Sequence, residues 1–153
     1  MRRWSWKLGE FAGIGVYVHA TFLLLVGWLA LRHYMAGDTL AATVSGILFV
    51  LAIFACVILH EYGHALTARR YGVTTRDIIL LPIGGVARLE RIPDEPRQEL
   101  AVAIAGPAVN VVIAVVLYGW LRATGTMVPL EEIAVTEGPF LERLMLVNVI
   151  LVL

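Results

Sequence analysis

The sequence has 153 residues, the length of one domain. Hydrophobic residues make up 59% and charged residues 16% of it, and mean hydropathy is +0.82, an apolar excess that excludes an ordinary soluble domain and a disordered chain. Twelve basic residues balance twelve acidic ones, which argues against a nucleic-acid partner. The single cysteine excludes an intrachain disulfide framework and any multi-cysteine zinc or iron–sulfur site.

The first predicted element is an apolar span over residues 16–35. It is preceded by Arg2, Arg3 and Lys7 and holds His19 near its start. No small-x-small cleavage site follows, so it reads as a retained span rather than a signal peptide. The second span covers residues 40–69, and its first twenty residues carry no charge. That length crosses the hydrocarbon of a bilayer. Residues 77–90 hold the β-type run Ile78, Ile79, Leu80, Leu81 and the turn residues Pro82 to Gly85, which predict a small membrane-associated β-hairpin. Pro93 and Pro96 mark a linker. The third span covers residues 99–121, and Gly106-Pro107 predicts a kink in it. A fourth begins near residue 141 and stops at Leu153, after about half the thickness of a bilayer. The expectation is an all-α polytopic membrane protein of about four transmembrane helices, the last one cut, forming a single core over residues 1–153. Placing the N-terminus in the cytoplasm puts nine basic residues inside and three outside, as the positive-inside rule prefers. The second span then points its C-terminal end at the cytoplasm.

That end reads His60-Glu61-Tyr62-Gly63-His64. On a helix, positions i and i+4 share a face, so both imidazoles can reach one zinc at about 2.0–2.1 Å. Glu61 lies beside them and can take a proton from a zinc-acidified water. Two surface histidines at a solvated helix end would give the same pattern. The apolar helix argues against that, because ionisable groups are expensive there and usually functional. Zinc needs a third protein ligand. Cys56 lies one turn earlier on the same face, although a small buried side chain explains it as well. His19 sits at a similar depth and could equally be a hydrogen-bonded structural residue. His33 falls in an outside loop. Helix geometry puts a better candidate at about residues 160–165 of the parent protein, beyond Leu153.

The chain resembles the site-2 protease family of intramembrane zinc metalloproteases. The resemblance rests on the His60–His64 stretch in its apolar helix, on Gly84-Gly85-Val86-Ala87-Arg88-Leu89, on Ala105-Gly106-Pro107-Ala108-Val109-Asn110, and on Val18-His19. It implies His60 and His64 as zinc ligands and Glu61 as the catalytic base. It also implies a third ligand from an Asp-Gly motif that this sequence does not contain, while Asn148 matches an asparagine that leads towards that motif. Some members of the subgroup it resembles carry a C-terminal pair of CBS domains, which the resemblance raises for the parent protein.

Asn110, about ten residues into the third span, needs a polar partner at that depth. It can bond a neighbouring helix or hold the substrate backbone and the developing oxyanion; the resemblance favours substrate binding. The hairpin edge could hold substrate as an added strand or only cap the helices. The expected function is zinc-dependent cleavage of single-span membrane proteins. The resemblance suggests an anti-sigma factor or a membrane-tethered transcription regulator as substrate, with the bilayer of a prokaryotic plasma membrane as surroundings. The rivals are a membrane zinc-binding or transport protein and an inactive helix-binding relative.

Overall fold

The computed structural model describes residues 4–91, 93, 95–129, 135 and 138–152. The leading Arg2 and Arg3 and the last residue of the apolar run, Leu153, lie outside the described residues. In chain order the elements are β1 (Ser5–Phe11), β2 (Ile14–His19), α1 (Ala20–Met35), α2 (Leu40–Arg70), β3 (Thr75–Leu81), β4 (Gly84–Leu89), α3 (Pro96–Thr124) and α4 (Phe140–Ile150).

α2 and α3 are long and apolar enough to cross a membrane. Only 17% of the most apolar window of each is buried within the chain. Their hydrophobic side chains therefore face outwards, which suits lipid and not water. The chain is a membrane protein built mostly from helices. α1 has 16 residues and α4 has 11, both short of a full crossing. Among the described residues, two helices meet the length of a span, where about four were expected.

The expectation of an all-α protein with one hairpin needs correcting. The four strands form one sheet in the order β1-β2-β3-β4. β1–β2 and β3–β4 are antiparallel, while β2 and β3 pair in parallel from Gly15↔Asp77 to Val18↔Leu80. The predicted hairpin is thus half of a larger unit. The other half was hidden because residues 16–19 extend the apolar run of α1. Hydrophobicity alone cannot separate a buried strand from the helix that follows it. The boundary is set by His19, whose side chain accepts from the Thr21 N–H at 3.3 Å and caps α1. Ala12 and Gly13 both adopt positive φ, the conformation that a two-residue hairpin turn requires.

The sheet sits against the C-terminal half of α2. Ile14, Val16 and Ile78 pack on Tyr62 and Ala65 of that helix, and Val18 and Leu80 pack with Phe22 and Phe54. The Tyr62 hydroxyl reaches the carbonyls of Phe11 and Ile14 at 3.2 and 3.1 Å. Arg69 donates to the Ala12 carbonyl at 2.8 Å. The β1–β2 turn is therefore pinned to the helix that carries the His-Glu-x-x-His stretch. Asp77, buried on β3, is bonded through both oxygens by Arg88 on β4. That carboxylate holds the Arg88 guanidinium protonated even more firmly than usual.

α3 crosses the same half of α2. Lipid supplies no hydrophobic drive between spans, so they associate by close packing of small residues. Gly63 supplies the closeness. A Cβ there would lie 2.6 Å from the Ala105 carbonyl oxygen and 2.8 Å from Val109 Cγ2. α4 packs higher on α2, where Leu144 and Val147 meet Phe49 and Cys56.

Gly63→Ala is expected to push α2 and α3 apart and to cost about 1–3 kcal/mol, the usual penalty of overpacking. A lowered unfolding midpoint in detergent would register it. Tyr62→Phe keeps the ring and loses the hydroxyl, which should cost about 1 kcal/mol. It should also speed amide exchange in residues 5–19 more than in α3.

Candidate metalloprotease site

His60, Glu61 and His64 lie on consecutive turns of α2, under the sheet and beside α3. The helical repeat brings the two imidazoles together, with Nε2 of His60 and Nε2 of His64 3.0 Å apart. Two nitrogens on a tetrahedral zinc, each at 2.0–2.1 Å, stand about 3.3–3.4 Å apart. Small side-chain rotations separate these geometries. Both rings are half-buried, as is Glu61.

The far nitrogen of each ring is also engaged. His64 Nδ1 lies 2.7 Å from the Val102 carbonyl oxygen on α3. A carbonyl only accepts, so His64 carries its proton on Nδ1 and keeps a lone pair on Nε2. His60 Nδ1 lies 3.0 Å from Asn110 Nδ2, also on α3. Metal-binding histidines usually have such an outer partner to fix the ring.

Gly106 makes the room. A Cβ at that position would stand 2.6 Å from His60 Nε2 and closer still to His64 Nε2. α3 is thus glycine where the two rings face it. Pro107 follows and lacks the N–H that would bond the Ala103 carbonyl. The helix nevertheless runs from Pro96 to Thr124.

Glu61 faces the sheet. One carboxylate oxygen accepts from the Ala87 N–H of β4 at 3.3 Å. Gly85 leaves space for its side chain, since a Cβ there would lie 2.8 Å from Glu61 Cγ. β4 is the last strand of the sheet, so an open strand edge runs past the carboxylate.

The structure brings His60, Glu61, His64 and Asn110 into one cluster. It does not bring in the other candidates. His19 caps α1, and His33 pairs with Asp38 at 2.6 Å in the α1–α2 connection. Cys56 is buried, and its sulfur accepts from Asn148 Nδ2 at 3.4 Å. Among the described residues no group of three or more His, Cys, Asp or Glu could hold a metal. The cluster offers two ligands and a base. Sequence reasoning missed the Val102 carbonyl and the Ala87 N–H, which are backbone groups without a residue signature. It noted Gly106 only as part of a motif, although a glycine facing a ligand pair signals close approach.

Residues 48–148 match the family model for peptidase family M50. The chain belongs to peptidase family M50. Within that family it is 40% identical over 114 residues to a zinc metalloprotease of Methanocaldococcus jannaschii, covering 74% of this chain and 32% of that protein. It is 36% identical over 132 residues to a putative zinc metalloprotease of Synechocystis, covering 81% and 33%. Its fold matches the solved site-2 protease from M. jannaschii with a TM-score of 0.70 and 33% identity, over 97% of this chain and 62% of that one. The chain spans about a third of the length of the curated relatives it matches. The M50 match includes the part of α2 that carries the His-Glu-x-x-His stretch and the α3 segment that lines it.

Gly106→Ala should displace both imidazoles. Uptake of a divalent metal, followed with cobalt in the purified protein, is expected to fall at least tenfold. His33→Ala, remote from the cluster, should leave it unchanged.

Proposed function

We propose that this M50 chain is the core of a zinc-dependent intramembrane endopeptidase. The observation that carries the reading is the convergence of the two histidine Nε2 atoms beside Glu61 on a helix apolar enough to span a membrane. His60 and His64 fit zinc by donor type, by spacing and by the space that Gly106 leaves, and they would supply two of its ligands. The names of the relatives point to the same metal.

Zinc, when bound, supplies a Lewis acid that acidifies water and polarises a carbonyl. The chain's own residues do the rest. Glu61, held against β4, accepts a proton from the attacking water. It later returns that proton to the leaving amine. The Ala87 N–H fixes the carboxylate by occupying one of its oxygens. Cleavage needs an extended peptide, and the open edge of β4 can take one as an added strand. Substrate would then lie alongside Glu61 without rearrangement of the helices.

The substrate class is a single-span membrane protein whose helix can unwind, such as an anti-sigma factor or a membrane-tethered transcription regulator. The charge distribution favours an N-terminus and active-site end in the cytoplasm of a prokaryotic plasma membrane. Tetrahedral zinc also needs a third protein ligand, which the described residues do not add to His60 and His64.

Glu61→Gln is expected to lower substrate cleavage by at least about 100-fold, the lower end for loss of a general acid–base, while zinc per chain stays near wild type. His64→Ala should lose both. The measurement is metal content together with appearance of the cleaved product in proteoliposomes. Altered zinc flux without product would instead indicate a transporter. Unchanged processing in Glu61→Gln would leave only a helix-binding relative.

A further inference from the structure

A groove of about 520 Å³ runs between β1 and the C-terminal half of α2. Leu8, Gly9 and Phe11 line it from the strand, and Ile58, Tyr62 and Leu66 line it from the helix. The three helix residues are spaced four apart, so they form one stripe about 12 Å long. One leaflet of bilayer hydrocarbon is about 15 Å deep. Leu8, Phe11, Leu59 and Leu66 are exposed along the groove, on a helix whose most apolar window is only 17% buried. The groove therefore opens towards lipid.

Its far end is polar. Arg69 lies three residues beyond Leu66 on the same face of α2, and it donates to the carbonyl of Ala12, the neighbour of Phe11. It closes the groove where the apolar stripe ends. A guanidinium has five N–H donors, and among the described residues no carboxylate pairs with this one. Glu10, which also lines the groove, is neutralised by Lys7 at 2.7 Å. An apolar trough nearly one leaflet deep that ends at an arginine has the layout of a phospholipid, with hydrocarbon below and phosphate above. Arginine suits a phosphate because it can bond two of its oxygens at once.

Other occupants fit less well. A helix with its side chains is about 10–12 Å across, so 12 Å of one fills on the order of 1,000 Å³ and would leave about half of that outside the groove. An added strand needs a regular edge. β1 is an edge strand, but its register slips between Lys7 and Gly9, and such a bulge blunts an edge. We propose that the groove is a phospholipid site, seating one acyl chain between β1 and α2 with the lipid phosphate on Arg69. A lipid held there adds apolar contact to the polar links that Tyr62 and Arg69 make to the β1–β2 turn. The site depends on α2 lying in a membrane and not on zinc.

The test uses the protein expressed over its full reading frame, purified in dodecyl maltoside and given substoichiometric phosphatidylglycerol with a photoreactive diazirine on one acyl chain. Cross-links are expected to concentrate in residues 8–11 and 58–66, above those on exposed apolar residues elsewhere, such as Leu24 of α1 and Val116 of α3. Unlabelled phosphatidylglycerol should compete at least about tenfold better than diacylglycerol, which lacks the phosphate, as loss of a hydrogen bond to a charged group implies. Arg69→Gln keeps a donor for Ala12 and should erase that preference. Gly9 offers a plug. A Cβ there meets nothing within 4 Å, and Gly9 pairs with Val16, so a side chain would share the face that Val16 turns to α2. Gly9→Phe should lower labelling of both stretches at least about tenfold, the effect of excluding two methylenes or more. Gly27→Phe on α1, where a Cβ also meets nothing within 4 Å, should leave it unchanged. Even labelling of all exposed apolar residues overturns the proposal, and so does undiminished labelling in Gly9→Phe. Equal competition by diacylglycerol in wild type overturns it too, and that arm decides alone if Gly9→Phe does not fold. A dimer that Gly9→Phe dissociates would give the groove to a second copy instead.

Discussion

An imidazole inside a bilayer has two nitrogens to satisfy and almost no water to do it with. Much of this structure answers that constraint. Two such rings sit one turn apart on α2, and both far nitrogens end on α3. For that to happen α3 must come close, and it comes close at glycines. Gly63 lets the backbones approach, and Gly106 leaves the inner faces of the rings uncrowded. The polar groups and the small residues are therefore one device. An apolar replacement at either end would leave a donor or acceptor stranded in low dielectric.

The carboxylate is handled from the other side. Glu61 projects towards the sheet, where a backbone N–H meets it. The sheet is itself fastened to α2 by Tyr62 and Arg69, which grip the β1–β2 turn. Tyr62 lies within the His-Glu-x-x-His stretch, at a position that the motif leaves open. The same helical turns hold the chemistry and anchor the platform above it. The Asp77–Arg88 pair ties β3 to β4, so the strand that meets Glu61 is braced by a second polar link.

What was legible in the residues was what side-chain spacing can encode. A spacing of four from His60 to His64 means one face of a helix, and the long uncharged runs mean α2 and α3. The β-type run Ile78 to Leu81 and the glycines after it pointed to β3 and β4. The first hairpin was not legible, because Val16 and Val18 continue the hydrophobicity of α1, and hydrophobicity carries no marker of where a strand becomes a helix. His19, weighed both as a zinc ligand and as a hydrogen-bonded structural residue, takes the structural role and is that marker. Asn110 could be recognised as needing a partner but not as facing His60. Its partner depends on how two helices cross, which no local pattern states. The backbone groups of Val102 and Ala87 have no letter of their own.

The parallel pairing of β2 with β3 has a consequence for how the molecule is made. These strands are separated in the chain by both α1 and α2, so their ladder cannot close until both helices have left the ribosome. β4 is synthesised after β3, and only then can Ala87 meet Glu61. α3, bringing Val102, Gly106 and Asn110, emerges later still. During synthesis the two histidines therefore enter the membrane well before the groups that orient them. A nascent chain therefore passes through a stage in which His60 and His64 have been made but Val102, Gly106 and Asn110, the groups that meet them, have not.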